Sequence, residues 1–163
     1  IDAFIKPYAP AQSLAYLPDI AAMEIAMNDS YYARDDKPLT AQNLAAITPE
    51  DLPDIHLKFR DSVRFLESLY PLNDIRDFCL LDDPQTPPDI NKGGVKLMIH
   101  RPEFTPIITA MDGAEWAMAQ ALKTNPLGAA LEHVLNDHPH FDFQKFLQKN
   151  IAAETFLAVG ANR

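Results

Sequence analysis

The chain has 163 residues, 47% hydrophobic and 9% aromatic, enough for one sizeable core or two small ones, and no apolar run approaches the roughly 20 residues that cross a bilayer. A single cysteine, Cys79, excludes an internal disulfide framework and fits a reducing, cytoplasmic setting. The whole net charge of −9 lies in residues 1–91, with 7 Lys and Arg against 16 Asp and Glu; residues 92–163 hold 7 against 7.

The first predicted element is a helix from Pro18 to about Arg34, opened by Pro18 and Asp19. At the helical period Ile20, Met23, Met27 and Tyr31 share one stripe, and Glu24 falls inside it, about 40° from Ile20. A short helix follows in "LTAQNLAAI" with Thr40 as its cap, and Thr48-Pro49-Glu50-Asp51 signals another helix start. The period then shortens to two. Ile55, Leu57 and Phe59 alternate with His56, Lys58 and Arg60, which predicts a half-buried strand. Arg60-Asp61-Ser62 turns the chain, and Val63 to Tyr70 returns as a second strand, a helix there being the competing reading. Pro71 starts a short helix through "LNDIRDF", and Cys79, between Phe78 and Leu80, reads as a small core residue.

"DDPQTPPDINKGG", residues 82–94, holds three prolines and two glycines and suits neither helix nor central strand. It is expected to be a linker between a domain at 1–81 and a second at 95–163. In the second, Val95, Leu97 and Ile99 alternate with Lys96, Met98 and His100 in a strand. Arg101-Pro102-Glu103 turns into a returning strand, "FTPIITAM", in which Pro106 signals an edge or a bulge. Three helices should follow, from Gly113 to about Lys123, Pro126 to about Asn136 and Asp142 to about Asn150, with Phe156 to Val159 as a closing strand. The fold class expected is α+β: a mostly helical first domain with a small hairpin, linked to a winged-helix-like second domain.

Glu24 heads the candidate functional residues. With Asn28 and Asp35 nearby it could ligate a metal, but such sites need His or further acids from another element, and no Glu-x-x-His pair occurs. A structural acid, partly buried and paired with Arg60 or Arg64, is the favoured reading. "DHPHFD" places His138 and His140 between Asp137 and Asp142, a weak metal signal without a third distant ligand; Asp142 reads more naturally as a helix cap. No G-x-S-x-G elbow and no phosphate-cradling glycine loop is present, so the residues outline no active site, no cofactor and no metal centre.

A winged-helix outline invites DNA binding, which charge opposes. The second of the three helices carries Glu132 and Asp137 without Lys or Arg, and the third offers only Lys145 and Lys149. The same hairpin can accept an extended peptide as an added strand, with Met98, His100, Ile107 and Thr109 as candidate contacts. The competing reading is a plain edge, protected by Pro106 and Lys96.

Three ordered blocks carry a family resemblance. They are "LAYLPDIAAMEIAMNDSYYARDDKPL", "RDSVRFLESLYPLNDI" and "GGVKLMIHRPEFTPIITAMDGAEWAMAQAL", which together with the intervening chain span about Leu14 to Val159. They resemble the HvfC/BufC family, long labelled a putative DNA-binding domain. The resemblance implies a non-catalytic partner subunit of a multinuclear non-haem iron oxidative enzyme. The pair would modify cysteines of a ribosomally made precursor peptide, often in copper- or metal-stress systems. The second domain would hold the leader peptide and the first would dock the enzyme; a DNA-binding regulator is the alternative. The family's fixed Glu corresponds to Glu24, and the Trp that often follows its Tyr-Pro block is Arg76 here. Family members carry further helices before this point, so the first domain is expected to be incomplete and Ile1–Tyr8 to be the tail of a helix.

Overall fold

The computed structural model describes residues 12–82 and 86–158. Helix α1 (Leu17–Tyr31) has Pro18 in its first turn, where a missing N–H costs nothing, and Asp19 near its positive end. Helix α2 (Ala41–Ala45) is held by a reciprocal cap: Asn43 N–H donates to Thr40 Oγ1 (3.2 Å) and Thr40 N–H to Asn43 Oδ1 (3.0 Å). The helix signal at Thr48 yields only turns and one 3-10 turn, Leu52–Asp54, containing Pro53.

Strands β1 (Arg64–Ser68), β2 (Val95–His100) and β3 (Ile107–Met111) form one antiparallel sheet in the order β1-β2-β3. Helix α3 (Leu72–Cys79) lies between β1 and β2 in the chain, and α4 (Gly113–Leu122), α5 (Leu127–Asp137) and α6 (Phe143–Ala152) follow β3. Helices plus a small antiparallel sheet make the fold α+β. Side chains alternate across the sheet, so its two faces feed separate cores. Leu66, Leu97, Ile99 and Ile108 meet Met23 of α1 and Leu72 of α3. Phe65, Met98 and Met111 meet Met118, Val134, Phe146 and Phe156, together with Leu39 and Leu57 from early in the chain.

Several expectations are corrected here. Residues 55–59 are extended and alternate as predicted, but they pair with the chain's end rather than with 63–70. Leu157 N–H donates to Lys58 O (2.8 Å), Arg60 N–H to Thr155 O (2.9 Å), and Phe59 bridges Phe156. Periodicity reports which side of a strand is buried and carries no information on its partner. The partner of β1 is instead β2, with Phe65 opposite Met98 and Ser68 opposite Val95. Residues 82–94, of which 83–85 lie outside the described residues, therefore connect neighbouring strands of one sheet, and each core draws on both sides of that segment. Gly93 takes φ 124°, and a Cβ on Gly94 would overlap the Ser68 carbonyl oxygen, so the glycine pair shapes the entry into β2. Cys79 is exposed rather than core. It ends α3, and Leu80 and Leu81 beyond it are exposed too, so an apolar run by itself does not place this end of the helix in the core. The expected helix tail at Ile1–Tyr8 lies outside the described residues, as does Val159 of the closing strand; Phe156 and Leu157 make single bridges.

Two buried arginines tie distant segments together. Arg101 reaches back to the C-terminal end of α1, donating to the carbonyls of Ser30 (2.9 Å) and Ala33 (2.8 Å), and forward to that of Glu103 (3.0 Å). Arg60 donates to Asp36 Oδ1 (2.6 Å) and to the carbonyls of Asp36 and Glu154 (both 3.1 Å).

Candidate functional site

Glu24 is not in the buried stripe. The face of α1 that meets the sheet centres on Met23 and Ser30, with Asp19, Ile20, Ala26 and Met27 at its margins, whereas Tyr31 is exposed. Counting Tyr31 as core rotated the inferred stripe toward Glu24, since polar Asp19 and Ser30 give no hydrophobic signal. Asp19 earns its inward position by accepting from Ser68 Oγ at 2.6 Å. The Glu24 side chain is 56% exposed, and its partner is Arg76 of α3 (3.6 Å) rather than Arg60 or Arg64. An exposed ion pair contributes at most about 1 kcal/mol. Glu24→Gln is expected to change the unfolding free energy by less than about 1 kcal/mol, the difference fading in high salt; urea titrations at two ionic strengths check this.

The four candidate peptide contacts divide. Met98 and His100 stand on β2, which is the central strand and paired on both sides, so neither belongs to an open edge. Both are buried. The hairpin was expected to stand alone, and the long-range pairing with β1 covers that side. Ile107 and Thr109 stand on β3, an edge strand with no partner on its outer side among the described residues. Ile107 is 45% exposed, and Phe104, in the turn before it, is exposed as well. Pro106 sits just outside the strand, where it removes no ladder donor from Ile107–Met111.

Thr109 Oγ1 lies 3.2 Å from His100 Nε2, while His100 Nδ1 has no hydrogen-bond partner. Burial pushes the His100 imidazole below its ordinary value of 6.5, against a smaller opposing pull from the Ala153 backbone. Its contribution to stability is complete above pH about 6.5 and falls as the solution is acidified toward the folded value, because the unfolded state takes up the proton first. Between pH 8 and 5, His100→Gln is expected to flatten the loss of unfolding free energy relative to the parent, by urea denaturation. An identical slope in both proteins would contradict this account.

Beside the β3 edge lies a groove of about 350 Å³ lined by Met27, Asn73, Arg76, Pro106, Ile108 and Ala110, with Asp77 at its side. Two of its polar atoms, Arg76 Nε and Asn73 Oδ1, are buried without a hydrogen-bond partner. Arg76 faces Glu24 at 3.6 Å and Asp77 at 3.8 Å, longer than a good hydrogen bond. Arg76 thus supplies the guanidinium that links Glu24 to this groove. Helical spacing marks Met27 only as part of the α1 stripe and gives no sign of Asn73 or Arg76, because two helices and a strand distant in sequence bring them together.

His138 and His140 line a separate cleft of about 600 Å³ with Asp112, Glu115 and Asp142. Asp142 caps α6 by accepting from Lys145 N–H (2.9 Å), and Asp112 caps α4 by accepting from Glu115 N–H (2.8 Å). Among the described residues no three His, Cys, Asp or Glu side chains converge as metal ligands, and no helix is long and apolar enough to cross a membrane. Comparisons with protein-family models, curated proteins and solved structures find no match for this chain.

Proposed function

We propose that this chain is a non-catalytic subunit that holds a cysteine-containing precursor peptide for a separate multinuclear non-haem iron oxidative enzyme. The observation that carries the reading is the outer edge of β3. It offers a row of backbone groups without a partner among the described residues, next to a groove with two unmatched polar atoms. An extended peptide added there gains main-chain hydrogen bonds from Ile107–Met111 and places alternate side chains toward the groove. The β2–β3 hairpin followed by α4, α5 and α6 supports a winged-helix-like arrangement for this part of the chain. The family resemblance supplies the partner enzyme and the class of peptide.

Charge weighs against the DNA-binding alternative. Helix α5 presents no Lys or Arg, and Lys149 of α6 is held by Glu115 at 2.6 Å.

The test uses the full-length protein, the neighbouring iron enzyme and its precursor, with the precursor's intact mass as the readout. A mass change that requires this subunit, and that weakens with Ile107→Asp on the β3 edge, is the expected result. The same mass change without the subunit, or none with it, overturns the reading. Salt-sensitive binding to duplex DNA in that case returns the regulator to the front.

A further inference from the structure

The opposite edge of the sheet, β1, borders a second groove of about 580 Å³ whose character is different. Its floor is apolar, formed by Leu57, Phe59 and Phe65, and its rim carries Lys58, Arg64 and Lys123. The Lys123 ammonium stands 4.4 Å from the centre of the Phe65 ring, and burial pulls its amine below the ordinary value of 10.5. Arg64 donates only to backbone carbonyls, those of Asp61 (2.6 Å) and Val63 (3.0 Å).

These three cations stand together without a paired carboxylate in a chain of net charge −9. Arg34, Arg60, Arg76, Lys92, Lys96, Arg101 and Lys149 each hold a carboxylate within 4.0 Å. Among the described residues Lys37, Lys58, Arg64, Lys123 and Lys145 hold none, and of these Lys58, Arg64 and Lys123 share one groove. Asp61, the acid on this rim, pairs with Arg34 at 3.4 Å and also feels Arg64, while Arg60 is committed to Asp36 and Glu154. A lysine without a counter-ion beside an aromatic ring gains from an arriving carboxylate.

We propose that this groove docks an acidic, extended segment of a partner polypeptide. The alternation of an extended chain suits the site: one set of side chains meets Leu57, Phe59 and Phe65, and the other brings carboxylates to Lys58, Arg64 and Lys123. Nucleic acid shares the negative charge but brings it at high density toward a chain that is itself strongly acidic, which repels it at long range. The groove lies across the sheet from β3, so this proposal stands or falls independently of the peptide edge proposed there.

The experiment measures fluorescence anisotropy of a short labelled peptide alternating Glu and Val, with its Lys and Val counterpart as control, against the whole chain. The acidic peptide is expected to bind, more weakly as salt rises, and the basic one not. Lys58→Gln and Lys123→Met should each weaken binding about fivefold. The methionine keeps an apolar stem against Phe65, so melting near the parent temperature identifies a folded variant. Lys145→Gln on α6 lies outside the groove and should leave the affinity unchanged. Equal binding of the two peptides, unaltered affinity in the folded groove variants, or tighter binding of a short DNA duplex than of the acidic peptide would each overturn the proposal.

Discussion

Arg101→Met is expected to lower the unfolding free energy by about 3–5 kcal/mol. The guanidinium is nearly inaccessible and donates to three backbone carbonyls, two of them at the end of α1. A helix leaves its last carbonyls without intrahelical donors, and a cation at that end also meets the negative pole of the helix. Here the donor comes from seventy-one residues away. Removing it strands carbonyls that water reaches poorly, each costing about 1–3 kcal/mol. The Arg101–Asp35 ion pair (2.9 Å) adds little, since Asp35 is 80% exposed and re-solvates readily. Arg101→Lys should recover only part of the loss, because one ammonium cannot span the same fork of acceptors. Urea denaturation followed by circular dichroism measures both variants; a loss under about 1 kcal/mol for the methionine would show that the fork is not holding α1.

Arg60→Met should cost about 2–4 kcal/mol, somewhat less because its partners retain other contacts. Asp36 still accepts from Asp61 N–H (2.9 Å), and the Glu154 carboxylate is half open to solvent. The loss should persist in high salt, since a buried pair is screened far less than a surface one. That separates Arg60 from Arg76, whose partner Glu24 is open to water. Denaturation of the Arg60 variant at low and high ionic strength reads the difference; a deficit that vanishes in salt would place Arg60 among ordinary surface charges. Since Arg60 joins residues 36, 60 and 154, its variant should also loosen the extended strip where Phe59 bridges Phe156, which amide exchange would report.

These two arginines also mark where local sequence stops being informative. Elements set by neighbouring residues were legible. Pro18 opens α1, Thr40 caps α2, Asp142 caps α6, and the alternation in Val95–His100 followed by a turn marks two paired strands. Capping and pleat act over a few residues, so the chain declares them directly. The sequence by itself therefore determined the α+β character, the β2–β3 hairpin, the three helices after it, and the acidic balance of the first 91 residues.

Only the tertiary structure decided which surfaces are free. Pairing β1 with β2 across residues 82–94 joined what composition divides, buried Met98 and His100 in the middle of the sheet, and left β3 and β1 as its edges. The Arg76 groove and the cationic groove are assembled the same way, from residues that neighbour one another only after folding. Glu24 shows the same limit: hydrophobic periodicity cannot register the polar residues on the inward face of α1, Asp19, whose carboxylate a distant Ser68 satisfies, and Ser30, small enough to be buried there. Burial and pairing are properties of the assembled contacts, and a strand's own residues specify its faces but not its neighbours.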